Sequence, residues 1–351
     1  MSSQVPSSPR STSPNGSPSM QDVADRAGVS LGTVSNVLNR PDIVSPKTRQ
    51  RVQDAIDALG FVRNASARAL AAGSSSTVGF VLTDLSNSFF LDMTRGAEER
   101  AQASGLSLLL ANSDLQADKQ RFYLNLFDEE RVSGILLAPV RAGLEDALAI
   151  RAHGRPLVVL NEPAANDEFC SVTVDDELGG YLATRHLIEL GRRRLVFVGG
   201  PDEFAPIRRR RLGAERAVRE AGDVTLEVVP TDEVQVGDGR KAGALLGARG
   251  TRRPDGVVAA ADLLAMGIVQ ALGDFEVRIP EDVAIIGYDN NRAASDTVIP
   301  LSTMSQPGVA AGTAAMNLLL DEMANPEHQH QAVVLRPAVV PRQSSVGHPG
   351  R

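Results

Sequence analysis

The chain has 351 residues, of which 42% are hydrophobic, so it is long enough for two or three domains with buried cores. Its net charge of −7 excludes a general polyanion binder, and its single cysteine excludes an intrachain disulfide. Residues 1–18 are rich in Ser and Pro and lack an apolar segment, which predicts a disordered tail rather than a secretory signal. With no stretch of membrane-spanning length, we expect a cytoplasmic protein without a membrane partner.

Residues 19–63 are predicted to form three short helices. Ser19 and Asp22 have the spacing of a capping box, Gly28 can end the first helix, and Ser30 can cap the second. The second helix points Val34, Val37 and Leu38 inward and leaves small and polar residues outside, which is typical of a helix that enters the major groove. Its outer face carries Leu31, Gly32, Thr33 and Asn36. The alternative is a small helical bundle without a ligand.

The third helix is predicted to begin at Ser45 and Pro46 and to end at Gly60. Lys47, Arg49 and Arg51 lie at its start, where they could hold phosphates or simply form a solvated face. Residues 20–73 carry seven basic and five acidic side chains, a net charge of +2, so one module alone should bind DNA weakly.

Residues 64–74 begin with the helix-prone stretch NASARALAA, which is too short to be stable alone, and continue into Gly73 and a serine run. A plain tether is one interpretation. From Thr77 onward, short apolar strands alternate with helices, which predicts parallel sheets covered by helices. About 260 residues of this pattern are too many for one sheet, so we expect an α/β fold with two lobes and a ligand cleft between them. The predicted strands are TVGFVL, LSLLLA, GILLAP, PLVVL, SVTV, LVFVG, LEVV, GVVAA and VAIIGY.

The segments DVADRAGVSLGTVSNVLN, VSPKTRQRVQDAIDALGF and NASARALA resemble the DNA-binding end of LacI/GalR (lactose repressor) regulators, and the resemblance extends from about Ser19 to Arg342. It implies an N-terminal helix-turn-helix domain, a hinge helix at 64–74 and a two-lobed periplasmic-binding-protein-like effector domain. By the resemblance, lobe one is 75–174 plus 307–335, lobe two is 175–306 plus 336–343, and 344–351 is a tail.

The resemblance further implies a homodimeric regulator, most often a repressor, bound to a pseudo-palindromic operator in double-stranded DNA, in the bacterial nucleoid. Paired hinge helices would order on the operator, with Leu70 as an apolar wedge between base steps and with Ala67 and Arg68 along the minor groove. Gly32 has no side chain where a base-reading residue is usual, which leaves Leu31 and Asn36 as the main readers. The candidate DNA contacts are Ser30, Leu31, Gly32, Thr33, Asn36, Asn39, Lys47, Arg49, Ala67, Arg68 and Leu70.

A small-molecule effector would bind between the lobes, and no cofactor is expected. Phe89 and Phe90 match paired aromatic residues of the family, with a helix-start core as the alternative, and Arg211 in RRLGA matches an arginine that reaches the ligand. Asp262 could instead cap its helix. Acids at Glu162 and Glu233, where an aromatic would be expected, favour a sugar-like, polyhydroxy or cationic effector over a flat purine. The candidate effector contacts are Phe89, Phe90, Glu162, Asp175, Arg211, Asp262, Asp289 and Gln306.

Three other interpretations have weaker support. The sequence GVSLG at 28–32 has the form of a nucleophile elbow, but it lies between two helices instead of after a strand, so we do not expect an enzyme. A secreted sugar-binding protein would carry an export signal and lack the helix-turn-helix, so residues 1–74 argue against it. His328 and His330 are expected to be solvated, and few histidines with one cysteine favour no metal site.

Overall fold

A computed structural model describes residues 18–62, 75–140, 144–164 and 168–347. The chain divides into two compact units, residues 1–73 and 74–351. The predicted hinge helix, with Ala67, Arg68 and Leu70, lies outside the described residues. Among the helices described, none combines the length and the apolar character that crossing a bilayer requires.

The first unit is a three-helix module, as predicted. A reciprocal capping box of Ser19 and Asp22 starts the first helix, and the left-handed Gly28 (φ 62°) ends it. The side chains of Ser30 and Ser45 accept the backbone N–H groups that start the second and third helices. The helices are α1 (Met20–Ala27), α2 (Leu31–Asn39) and α3 (Pro46–Leu59), with a 3-10 turn at Pro41–Ile43.

Packing in this unit uses the faces that the periodicity predicts. The buried side chains are Val23, Ala24, Ala27, Val34, Val37, Val52 and Ala55. Arg51 departs from its expected role as a phosphate contact: its Nη2 atom donates to the carbonyl oxygens of Ala27 at 2.8 Å and Gly28 at 3.1 Å. These carbonyls have no partner within α1, so Arg51 ties the end of α1 to α3.

The second unit contains two six-stranded sheets, in agreement with the two-lobed α/β prediction. The first has the order β11-β5-β4-β3-β1-β2 and the second β12-β10-β9-β8-β6-β7. All strand pairs are parallel except β10 and β12. The first sheet consists of β1 (Thr77–Leu82), β2 (Ser107–Asn112), β3 (Gly134–Leu137), β4 (Leu157–Leu160), β5 (Cys170–Val174) and β11 (Ala332–Leu335). The second consists of β6 (Arg194–Val198), β7 (Thr225–Val229), β8 (Gly256–Ala259), β9 (Ala284–Asp289), β10 (Ser302–Ser305) and β12 (Ala338–Val340).

Helices connect most of the strands and pack on both sheets. Strands β3, β4, β8 and β9 are buried at every residue, because both faces of a parallel sheet are covered. The helices are α4 (Ser88–Ala103), α5 (Ala117–Glu129), α6 (Glu145–Ala152), α7 (Asp176–Glu189), α8 (Ala205–Ala221), α9 (Val236–Gly247), α10 (Asp262–Gly273), α11 (Arg292–Ser295), α12 (Gly308–Ala324) and α13 (Gln343–Val346).

Glycines allow α7 and α8 to pack unusually closely. A Cβ atom at Gly180 would collide with the carbonyl oxygen of Arg210, and one at Gly213 would collide with that of Glu177. The two helix backbones are therefore in direct contact. This contact fixes the position of Arg210 on α8.

Candidate functional site

The outer face of α2 is open to a partner. Leu31 is 46% exposed, Gly32 and Asn36 are exposed, and Thr33 is half-buried beside the capping Ser30. Asn39 is exposed and donates from Nδ2 to Ser35 Oγ at 3.2 Å. Lys47 and Arg49 are exposed on the first turn of α3. The predicted groove-reading residues thus share an accessible helix face, and their contact with DNA stays a prediction.

In the second unit, a cavity of about 220 Å³ lies beyond the carboxyl ends of strands from both sheets. Five of the eight predicted effector contacts line it: Phe89, Phe90, Glu162, Asp289 and Gln306. Phe89 and Phe90 are 4% and 7% exposed and also pack in the core of the first sheet, so both interpretations of this pair apply. The cavity is the candidate effector site, and we call it the cleft.

Asp289 forms the polar floor of the cleft. Its carboxylate accepts hydrogen bonds from Asn87 Nδ2 at 2.9 Å and from Gln306 Nε2 at 2.6 Å. The residue is 6% exposed and has a backbone φ of 105°, a conformation that non-glycine residues rarely adopt. Burial raises the pKa of Asp289 to about 6, against the opposing effect of Arg210.

Arg210 is the buried cation behind this floor. Its Nε donates to Asp176 Oδ1 at 2.8 Å, its Nη1 donates to Ala260 O at 2.7 Å, and Nη1 lies 3.7 Å from Asp289 Oδ1. Its guanidinium carbon lies 3.6 Å from the ring centroid of Tyr288. With both carboxyl groups ionised, two negative charges face one positive charge, so the buried cluster has a net charge of −1.

The prediction for Arg211 differs from the structure by one residue. Arg211 pairs with Glu215 at 2.5 Å and with Asp202 at 3.1 Å, and it does not line the cleft. Successive helical residues diverge by about 100°, so only one of the two arginines can share the buried face of α8. That face carries Arg210, Gly213, Ala214 and Ala217. Relative to Arg210, the small residues lie at i+3, i+4 and i+7, the spacing of one helix face. This spacing could have identified Arg210 as the buried arginine.

Asp175 and Asp262 also lie outside the cleft lining. Asp175 caps α7, accepting the Leu178 N–H at 2.9 Å, while its neighbour Asp176 makes the buried ion pair. Asp262 is the first residue of α10 rather than its cap, which is Ala261, and it accepts the Asn291 N–H at 2.7 Å. Both residues stabilise local structure behind the cleft.

The walls of the cleft are acidic. Asp84 and Glu162 are half-buried, and Glu203, Asp232 and Glu233 lie exposed at its rim. Burial raises the pKa of Glu162, and nearby Arg209 and Arg208 oppose this shift. Among the described residues that line the cleft, Arg210 is the single basic side chain. In the part of the chain that the structure describes, Gln306 Oε1 and Asn161 Oδ1 are buried acceptors without a hydrogen-bond donor. The cleft thus offers mainly acceptors.

Hydrogen bonds join the two sheets' loops at the floor of the cleft. Asn291 Oδ1 accepts from the backbone N–H of Ser88 at 3.0 Å and from its hydroxyl at 2.8 Å. Asn291 Nδ2 donates to Asn87 Oδ1 at 3.3 Å, and Asn87 in turn holds Asp289. These contacts span more than 200 residues of sequence, and local patterns gave no sign of them. A ligand on Asp289 would touch the same network that connects the lobes.

The expectation that His328 is solvated was wrong. Its side chain is 4% exposed, and its Nε2 lies 3.2 Å from the sulfur of the fully buried Cys170. His330 lies beside His328, and the centroids of the two imidazole rings are 5.2 Å apart. None of these three residues lines the cleft.

Comparison with known proteins identifies both parts of the chain. Residues 19–64 match the family described as bacterial regulatory proteins of the lacI family, and residues 184–345 match the periplasmic binding protein-like domain. The HTH-type transcriptional regulator RegA of Clostridium saccharobutylicum is 34% identical over 333 residues, which is 93% of this chain and 99% of RegA. The HTH-type transcriptional repressor PurR of Escherichia fergusonii is 33% identical, over 95% of this chain and 98% of PurR.

Solved structures give the same result. A complex of the transcriptional regulator CelR with cellobiose has a TM-score of 0.69 at 29% identity, covering 93% of this chain and 100% of CelR. The lac repressor dimer bound to operator and the anti-inducer ONPF shares the fold, with a TM-score of 0.81 at 23% identity over 94% of this chain and 99% of the repressor. The two sheets, the helix-turn-helix module and these relatives agree: the chain belongs to the lacI family and is a DNA-binding transcriptional regulator, not an enzyme.

Proposed function

We propose that this protein is a homodimeric repressor whose operator affinity is controlled by a neutral or positively charged polyhydroxy compound of the sugar class, bound in the cleft. The observation that carries the proposal is the buried Asp289 carboxylate at the cleft floor, in a cluster with excess negative charge. A carboxylate in this position accepts hydrogen bonds from vicinal hydroxyls or from an ammonium group.

The charge of the cleft excludes phosphorylated or carboxylated effectors from this proposal. Five further carboxylates line the cleft, and Arg210 is already engaged by Asp176, Ala260 O and Asp289. An anionic ligand would therefore meet like charges, which opposes its binding. CelR was solved with cellobiose, and a LacI-family regulator from Enterococcus faecium, 27% identical over 78% of this chain, was solved with ribose. These relatives support a sugar-class effector.

For the DNA, we propose that Leu31 and Asn36 read base edges and that Ser30, Gly32, Thr33 and Asn39 lie against the groove, while Lys47 and Arg49 hold phosphates. The exposure of these residues, with Thr33 half-buried, supports the assignment. Ala67, Arg68 and Leu70 remain the proposed minor-groove contacts. Such a regulator would act in the cytoplasm, at the bacterial nucleoid.

A second copy of the chain has a candidate docking surface on the edge of the first sheet. Strand β2 is an edge strand, and it exposes Leu109 (47%) and Leu110 (46%). Phe122 on the neighbouring α5 is 61% exposed. An apolar sheet edge of this kind is normally protected, and dimerisation would protect it.

The proposed lobes are 75–174 with 307–335, and 175–306 with 336–343. Strand membership supports this division, because the first sheet takes strands from 77–174 and 332–335, and the second from 194–305 and 338–340. The effector shifts the lobe arrangement only by the difference in its affinity for the two arrangements. The hydrogen bonds from Asn87 and Ser88 to Asp289 and Asn291 are where such a difference would arise.

A ligand screen tests the proposal. Purified full-length protein is heated with neutral sugars, amino sugars, sugar phosphates and nucleosides, since a ligand that binds only the folded form raises the melting temperature. We expect stabilisation by neutral or amino sugars and none by sugar phosphates. Asp289→Asn should lose the response, whereas Arg211→Ala should keep it. Stabilisation by phosphorylated compounds alone, or by nucleosides alone, would refute the assignment of the effector class.

Operator control is tested with DNA selected from random duplexes by the purified protein. The stabilising sugar should change the affinity for this DNA in the wild type and in Arg211→Ala, but not in Asp289→Asn. An unchanged affinity in the wild type would separate ligand binding from regulation and overturn the mechanism.

A further inference from the structure

We propose that Cys170, His328 and His330 form a binding site for a divalent transition metal of the zinc class, separate from the effector cleft. Each residue offers one ligand atom, and the three atoms lie within 4.8 Å of one another. Cysteine sulfur and imidazole nitrogen together are the donor set that Zn²⁺ and its chemical relatives prefer. We refer to these three residues as the thiol–imidazole cluster.

The fold brings the cluster together from distant parts of the sequence. Cys170 begins β5, and the two histidines lie on the segment between α12 and β11. Strands β5 and β11 are parallel neighbours, with Ala332 opposite Ser171, so the residues just before each strand meet at the same end of the sheet. The backbone N–H of Gln331 donates to the Cys170 sulfur at 3.3 Å, which helps to fix the position of the sulfur.

His328 already has the orientation of a metal ligand. Its Nδ1 lies 2.6 Å from Asp321 Oδ2, which fixes the proton on Nδ1 and leaves the Nε2 lone pair facing the Cys170 sulfur at 3.2 Å. A carboxylate behind the far nitrogen is the usual support of a ligating histidine. From bond lengths of about 2.3 Å for Zn–S and 2.0 Å for Zn–N, the tetrahedral S···N separation is roughly 3.5 Å. A cation can therefore enter with movements of a few tenths of an ångström here.

Arg151 contacts the third residue of the cluster, His330. Its Nη2 lies 2.5 Å from His330 Nε2, and its Nη1 donates to Glu322 Oε1 at 2.9 Å. A guanidinium in this position competes with a metal ion for His330, because both seek the imidazole lone pair. Metal binding through His330 Nε2 requires Arg151 to leave that nitrogen, while the pair with Glu322 can persist. Three protein ligands then leave a fourth position for water.

Metal titration of the full-length, tag-free protein tests this site. Co²⁺, a coloured substitute for Zn²⁺, should bind one per chain and give a thiolate-to-cobalt charge-transfer band that Zn²⁺ abolishes. Cys170→Ser should eliminate the band, and His328→Gln or His330→Gln should weaken binding strongly. Asp321→Asn should weaken it about 10–100-fold, the range for lost support of a ligating histidine. His153→Gln, a histidine paired with Asp128 elsewhere in the unit, is the matched control and should bind normally.

Arg151→Met supplies the opposite result, because loss of the competing cation should tighten Co²⁺ binding. Circular dichroism of every variant confirms that it is folded before titration, and Asp321→Asn keeps the test decisive if a ligand variant fails to fold. The proposal is overturned if the wild type gives no charge-transfer band, or if Cys170→Ser binds Co²⁺ as the wild type does. Because the effector screen uses no metal, its outcome is independent of this one.

Discussion

Replacing Arg210 with Met should destabilise the second unit far more than the same change at its neighbour Arg211. The change removes the guanidinium that donates at 2.8 Å to the buried Asp176 carboxylate, which is 3% exposed, and it leaves the Ala260 carbonyl without this donor. Breaking a buried ion pair by removing one partner costs about 3–5 kcal/mol. Arg211 pairs with Asp202 and Glu215 at a partly exposed position, where such pairs contribute about 0–1 kcal/mol.

Urea unfolding of the full-length protein, followed by far-ultraviolet circular dichroism, measures the two free energies of unfolding. The double variant Asp176→Leu with Arg210→Met should be more stable than Arg210→Met alone, because it removes the charge left unpaired. The pH dependence gives a second check. Burial already raises the pKa of Asp176, and loss of Arg210 raises it further. The folded state of Arg210→Met then binds protons more tightly than the unfolded state, so its stability should fall as the pH rises above about 4.

Equal losses in the two single variants would refute this reasoning, since they would show that the buried pair contributes no more than the surface one. A double variant no more stable than Arg210→Met would instead indicate that packing against Tyr288, and not charge pairing, is the main contribution.

Three further predictions concern the ligands. Because the pKa of Asp289 is raised to about 6 from 3.8, its ionisation should make stability fall between about pH 4 and pH 6, while affinity for the stabilising sugar rises over this range. In melting experiments Asp289→Asn should reduce the fall in stability, since the buried Asp176 and Glu162 also contribute to it, and in calorimetric titrations it should abolish the rise in affinity. Asn36→Ala should reduce the discrimination between correct and incorrect bases at one base pair by about 1–3 kcal/mol. Lys47→Ala should weaken binding to all duplexes alike and lower the slope of log affinity against log salt concentration by about 1. If the two variants had identical base preferences, the proposed division of roles would be contradicted. Leu70→Ala should reduce operator bending in a gel assay while leaving effector binding intact, and unchanged bending would exclude the wedge.

The helix caps and most strands could be predicted because they depend on local sequence. Ser19, Gly28, Ser30 and Gly60 take the conformations that their residue types favour. Strands β1 to β9 were visible as apolar runs, whereas β10, β11 and β12 have three or four residues each and lie at or near the sheet edges, where β11 and β12 have no fully buried residue. Short edge strands carry little periodic signal.

The chemistry of the site was predictable to the level of a carboxylate after a strand, and not to the level of which neighbour faces inward. Asp289 followed from a strand end and Gln306 from a predicted lobe crossing, but in the arginine run and at residues 175–176 the buried member lies one position from the predicted one. Helix rotation decides such pairs, and it depends on packing against another helix. Asn87 and Asn291 were missed because their contact joins loops 204 residues apart.

The direct backbone contact of α7 with α8, at Gly180 and Gly213, has a consequence for how a signal could travel. Asp176 and Arg210 are carried on these two helices of one lobe, so we expect the ion pair to keep its length when the lobes rotate relative to each other. We expect this ion pair to hold Asp289 in the same position in both lobe arrangements. A signal between the lobes then has to pass through the amide and hydroxyl hydrogen bonds that join them. Exchange of a single hydrogen bond there would change the equilibrium between lobe arrangements.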